Sequence, residues 1–66
     1  MIVLSEYISE QSHLMSARVC KNDTTFFIEY VKDGSVFKTE SFPGKSQRYV
    51  EDAAENWAIG IKVLNG

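Results

Sequence analysis

The 66-residue sequence has few of the residues that build catalytic or metal centres. It contains one histidine, His13, and one cysteine, Cys20. A structural zinc site needs about four ligands, and nothing near either residue completes such a set. A single cysteine excludes an internal disulfide and is typical of a protein from a reducing cytosol. No nucleophile–base pair and no phosphate-binding loop is present, so the sequence predicts neither an enzyme nor a bound cofactor or metal.

The chain also lacks long apolar stretches and a strong charge of either sign. Residues 1–10 contain no basic segment followed by a long apolar run, so we expect no signal peptide and no membrane-spanning segment. The net charge of −2 argues weakly against a protein that binds nucleic acid by bulk positive charge. We therefore expect one small domain, residues 1–66, located in the cytoplasm.

What the sequence does contain is a turn signal, Asp33-Gly34, between two β-rich segments. A two-residue type I′ turn needs positive φ at both positions, which glycine accepts and aspartate tolerates. This turn predicts a cross-strand ion pair between Glu29 and Lys38, which suits a solvated face. Because side chains alternate along a strand, the opposite face should be buried. That predicted buried face carries Phe26, Ile28, Tyr30, Phe37 and Thr39.

Two further strands are expected ahead of this hairpin. Residues 2–8 and 13–21 have strand-like composition and are joined by a polar loop at residues 9–12. A second two-residue turn at Asn22-Asp23 connects the second strand to the third. Both turn assignments then give one consistent apolar face, and this agreement supports the fold. The second turn adds Met15, Ala17 and Val19 to the buried face, and the four-residue loop adds Ile2 and Leu4.

The last third of the chain predicts a helix. Pro43 and Gly44 end the fourth strand, and the hydroxyl of Ser46 can cap an unpaired amide in the first helical turn. Gly60 either ends the helix or lies inside it, and we favour an end near Gly60. Apolar residues at helical spacing predict one buried stripe of Val50, Ala53, Ala54, Trp57 and Ile61. The predicted fold is α+β, a four-stranded antiparallel β-meander with one C-terminal helix packed on one face.

The outer face of this sheet is the best candidate for a functional surface. It presents more apolar side chains than a fully solvated face normally carries, and such a patch on a small domain often marks an interface. The alternative is that every small protein exposes some apolar atoms. We favour a non-enzymatic interaction module that forms a homodimer, because a marginally stable domain gains stability from a symmetric partner. The predicted partner-binding residues are Tyr7, Arg18, Phe27 and Lys38, with Arg18 opposite Phe27 in reach of a cation–π contact.

A nucleic-acid-binding domain is the alternative function. In that case basic side chains contact the phosphate backbone, and Phe27 or Tyr7 stacks on a base. The net acidity of the chain argues against it. The basic residues concerned are Arg18, Lys38, Lys45 and Arg48.

Residues 48–57, RYVEDAAENW, are followed by Gly60-Ile61-Lys62. This segment resembles small uncharacterised proteins of T-even-like tailed phages, notably those of marine cyanobacteria. The resemblance covers mainly the last third of the chain. It implies a virus-encoded protein that acts in a bacterial host cytoplasm, with a host regulatory or biosynthetic protein as a natural target. It brings no activity and no site residues to carry over.

Overall fold

The computed structural model describes residues 1–64 and confirms the predicted α+β fold. Four antiparallel strands form one sheet in the order β1-β2-β3-β4, and a helix follows them. The elements are β1 (Ile2–Ile8), β2 (Met15–Asn22), β3 (Thr25–Lys32), β4 (Ser35–Phe42) and α1 (Gln47–Ala58). The predicted domain also includes residues 65 and 66, which lie outside the described residues. Within residues 1–64, no helix is long and apolar enough to cross a membrane.

Both hairpin turns form close to their predicted positions. At Asp33-Gly34 the φ angles are 52° and 80°, both positive as a type I′ turn requires. The other hairpin turns on Asp23-Thr24 instead of Asn22-Asp23, since Asn22 is still paired with Thr25. The pairing of β2 with β3 is therefore displaced by two residues from the prediction. Because side chains alternate with a period of two, this displacement leaves every side chain on its predicted face.

The first edge strand, β1, contains a β-bulge. Its register against β2 shifts between Val3 and Ser5, which leaves Leu4 as an extra residue. One extra residue moves every later side chain of the strand to the other face. Tyr7 therefore lies opposite Ala17 on the side of the sheet that the helix covers. The prediction that placed Tyr7 on the outer face is wrong.

The second edge strand, β4, contains a bulge of the same kind. Its pairing with β3 follows the prediction only next to the turn, and beyond that point Phe37 is an extra residue. As a result Tyr30 faces Lys38, and Glu29 faces Thr39. Lys38 therefore lies on the helix-facing side of the sheet. The predictions that placed it on the outer face and paired it with Glu29 are wrong.

The helix has a capped start and a glycine at its end. The hydroxyl oxygen of Ser46 accepts a hydrogen bond from a first-turn amide at 3.2 Å. After the helix, the amide of Gly60 donates to the carbonyl of Trp57 at 3.1 Å. The amide of Ile61 donates to the carbonyl of Asn56 at 2.8 Å. These two bonds, with a φ of 88° at Gly60, form a Schellman motif and confirm the predicted helix end.

The core lies between the sheet and α1, which packs mainly across β2 with β1 and β3 beside it. The half-buried indole of Trp57 lies with its ring centroid 5.1 Å from that of Tyr30. This contact confirms which face of the central strands is buried under the helix. The fully buried core residues are Ala17, Val19, Ile28, Tyr30, Val50 and Ala54. Five residues that were predicted to be buried are exposed, namely Ile2, Leu4, Phe37, Thr39 and Ile61.

Candidate functional site

The sheet has an outer face that no helix of the described residues covers. On this face the strands place their side chains in three rows that run across the sheet. The first row is mainly apolar and contains Ile8, Ser16, Val31 and Val36. The middle row carries the charges and contains Glu6, Arg18, Glu29 and Thr39. The third row is again mainly apolar and contains Val3, Cys20, Phe27 and Ser41.

The middle row is held by polar contacts between neighbouring strands. Arg18 Nη2 lies 3.1 Å from Glu29 Oε1. Beside it, Ser16 Oγ donates a hydrogen bond to Glu6 Oε2 at 2.8 Å. The two-residue displacement places Glu29 opposite Arg18, so the guanidinium pairs with a carboxylate where a cation–π contact with Phe27 was predicted. Within residues 1–64, the Nε atom of Arg18 is buried and has no hydrogen-bond acceptor.

The centre of the outer face is shielded, whereas its edges are open. Phe27 is 7% exposed and Val31 is 8% exposed. Because no second layer of described residues lies on this side, neighbouring side chains of the sheet must provide that cover. At the edges, the side chains that we call the apolar rim, Val3, Ile8 and Val36, are 49%, 53% and 43% exposed. A partner on this face therefore gains apolar contact mainly from the rim.

The cysteine and the histidine do not form a reactive centre. Cys20 is fully buried, and this burial is the main reason that the pKa of its thiol is raised. A raised pKa disfavours the thiolate, which is the nucleophilic form. His13 lies exposed in the loop between β1 and β2. In the part of the chain that the structure describes, no group of three His, Cys, Asp or Glu side chains is placed to hold a metal ion.

The predicted partner-binding residues do not share one surface. Arg18 and Phe27 lie on the outer face as expected, although the phenyl ring is nearly buried. Tyr7 and Lys38 lie on the helix-facing side because of the bulges. The hydroxyl of Tyr7 donates a hydrogen bond to Glu51 Oε1 at 2.7 Å, which joins β1 to α1. Of the four, only the first two can contribute to a contact through the outer face.

The basic residues of the nucleic-acid alternative are also divided between the two sides of the sheet. Arg18 is on the outer face and is paired there. Lys38 is on the opposite side. Lys45 precedes α1, with Nζ 4.9 Å from the ring centroid of Tyr49, and Arg48 lies in the first helical turn. The four side chains therefore do not form one basic surface that could follow a phosphate backbone.

A shallow cavity of about 430 Å³ lies between β1 and the start of α1. Its lining residues are Tyr7, Gln47, Arg48, Glu51 and Asp52. Gln47 Nε2 donates to Glu51 Oε2 at 2.7 Å, and this bond is the largest cause of the lowered pKa of Glu51. The bond from Tyr7 occupies the other carboxylate oxygen and also lowers that pKa. This carboxylate is held ionised by fixed donors, so it acts as a structural clamp between strand and helix.

Sequence reasoning missed the residues that are most open to a partner on the outer face. Ile8 was not assigned to that face because the bulge in β1 is needed to bring it there. Val36 alternates with Phe37 and so falls on the predicted outer face, but nothing in the sequence singled it out, since exposure depends on how neighbouring side chains cover the sheet. Glu6 was missed for the same reason as Ile8. A prediction that also considered a bulged pairing of the edge strands would have placed both Ile8 and Glu6 on the outer face.

Comparison with protein-family models, with curated proteins and with solved structures found no match. The functional argument therefore rests on the geometry of this chain alone. The resemblance of its last third to phage proteins stays a prediction.

Proposed function

We propose that the protein is a non-enzymatic interaction module that binds a protein partner through the outer face of its sheet. The observation that carries this proposal is the apolar rim. Val3, Ile8 and Val36 are about half exposed on a face that has no covering layer among the described residues. Branched apolar side chains around a shielded centre form a patch that water solvates poorly, and such patches on small domains mark contact surfaces.

The middle row supplies the specificity of this surface. Arg18 stands between Glu6 and Glu29, so the row presents positive charge flanked by negative charge. Complementary charges at a contact select the correct partner and its orientation more than they raise affinity.

The proposal extends to the setting that the phage resemblance implies. If the chain is virus-encoded, it acts in the cytoplasm of the host, and a host protein is a natural target. Nucleic acid is not part of the proposal, because the basic side chains lie on two sides of the sheet.

The experiment compares Val36→Asp with Ile61→Asp. Both substitutions place a charge on an exposed apolar residue, but Val36 is on the outer face and Ile61 follows α1 on the other side. The two readouts are the self-association of each protein in sedimentation and its capture of proteins from bacterial lysate, with circular dichroism to verify folding. We expect Val36→Asp to lose the interactions of the wild type and Ile61→Asp to keep them. If both variants sediment and capture as the wild type does, the outer face is not the contact surface.

A further inference from the structure

The outer face is self-complementary, and we propose that its partner is a second copy of this chain, packed face to face. This inference rests on the proposed function, because it names the occupant of the same surface. Most homo-oligomers are two-fold symmetric, and two identical faces meet about an axis that lies in the plane of contact. That axis can run along the strands or across them, and the charges of the middle row distinguish the two arrangements.

An axis that runs along the strands, between β2 and β3, gives matching contacts. Each row then lies over the same row of the partner, with β2 over the partner's β3. Arg18 therefore lies over the partner's Glu29, and symmetry repeats this ion pair. An axis across the strands instead places Arg18 over the partner's Arg18, where like charges repel. Only the first axis brings opposite charges together.

The same axis also matches the apolar positions of the first row, whereas Val3 in the third row lies over the partner's Ser41. It places β1 over the partner's β4, so Ile8 lies over the partner's Val36 in two symmetric contacts. These two side chains are 53% and 43% exposed in the single chain, and each covers the other in the dimer. Two sheets that pack with nearly aligned strands form the ordinary β-sandwich geometry.

The size of the face predicts a weak, reversible dimer. Four strands about 4.8 Å apart and three rows about 7 Å apart give a face of about 400 Å² per copy. Two such faces fall below the roughly 1,200–2,000 Å² that stable complexes bury. We therefore expect a dissociation constant in the micromolar range, with monomer and dimer in exchange as the concentration changes.

Site-specific cross-links between introduced cysteines test the arrangement directly. Ile8 and Val36 of one chain lie three strand spacings apart, about 14 Å. The proposed dimer brings Ile8 over the partner's Val36, at the separation of about 10 Å that packed sheets keep, and leaves equivalent residues farther apart. A disulfide does not span that separation, so the assay uses a thiol cross-linking reagent that spans about 10 Å. With this reagent, an equimolar mixture of Ile8→Cys and Val36→Cys chains should form covalent dimers. Each variant alone should resemble the wild type, whose Cys20 is fully buried.

Charge exchange provides a second, independent test. Arg18→Glu alone and Glu29→Arg alone each place like charges over one another in the symmetric dimer, so each should sediment as a monomer. An equimolar mixture places the introduced carboxylate over the introduced guanidinium and should restore the dimer. Circular dichroism verifies folding, and if a single variant does not fold, the double variant Arg18→Glu/Glu29→Arg keeps both kinds of pair and should dimerise by itself.

The outcomes separate this inference from the proposed function. A wild type that remains monomeric at about 1 mM, far above a micromolar dissociation constant, overturns the second copy as partner. A dimer that forms no cross-link in the mixed sample overturns the proposed axis. If the protein is monomeric but Val36→Asp still loses the capture of another protein, the proposed function stands and only the self-pairing fails.

Discussion

Two phenylalanines exchange their predicted environments, and removing each ring tests the register of the sheet. The sequence predicts Phe37 in the core and Phe27 in solvent, whereas in the structure Phe27 is 7% exposed and Phe37 is 49% exposed. Phe27→Ala removes a packed ring, a change that costs about 3–5 kcal/mol. Phe37→Ala removes a ring that is half in water, so we expect about half that cost, roughly 1.5–2.5 kcal/mol.

These costs are large for so small a domain. At about 0.05–0.15 kcal/mol per residue, the free energy of unfolding of the whole chain is roughly 3–10 kcal/mol. Phe27→Ala should therefore leave the chain unfolded if its stability lies at the lower end of this range, and strongly destabilised if it lies at the upper end. Phe37→Ala should leave it folded, with Tm lowered by about 4–8 °C for each kcal/mol lost. Urea and thermal unfolding followed by circular dichroism measure both effects against the wild type. Equal losses, or a larger loss for Phe37→Ala, would refute the bulged register of β4.

The remaining predictions concern pH and the helix end. The buried hydroxyl of Tyr30 donates to Glu40 Oε1 at 2.9 Å, and burial together with this bond raises the pKa of Tyr30 above its usual value of 10.0. A raised pKa gives stability that is complete below about pH 10 and is lost as pH rises through the folded-state pKa. Urea unfolding between pH 8 and 12 should therefore show a smaller alkaline loss for Tyr30→Phe, and an unchanged slope contradicts this. Gly60 has a φ of 88°, so Gly60→Ala should cost about 1–2 kcal/mol in thermal unfolding and Gly60→Asn less, because asparagine tolerates this conformation.

The parts of the fold that could be predicted from the sequence depend on local chemistry. Asp33-Gly34 determines its turn because few residues accept positive φ at two successive positions. Ser46 and Gly60 mark the helix ends by hydrogen bonds made within a few residues. The error at Asn22-Asp23 left both faces of the strands as predicted, since a displacement of two residues preserves them, but it changed the cross-strand partner of Arg18.

The bulges could not be predicted in this way. Leu4 and Phe37 are ordinary strand residues, and nothing in their chemistry marks them as extra. The position of each bulge depends on the side-chain contacts that the rest of the strand makes once it is paired. In β4 the bulge brings Glu40 to the side of Tyr30, where its carboxylate accepts a hydrogen bond from the tyrosine hydroxyl. The same carboxylate lies 3.5 Å from Lys62 Nζ. Such contacts come from residues far apart in sequence. The faces of the central strands could therefore be predicted, whereas the faces of Tyr7 and Lys38 on the edge strands could not.

The same two bulges favour association through the face over association through the edges. The unpaired backbone of β1 and β4 could otherwise template pairing with another chain, and a bulge in an edge strand counters this. The bulges also move Tyr7 and Lys38 to the helix side and bring Glu6 and Ile8 to the outer face. With a regular register, Lys38 would stand beside Glu29 and compete for the carboxylate that the proposed dimer pairs with the partner's Arg18. The proposed self-pairing of the outer face therefore depends on the same two bulges that the sequence did not predict.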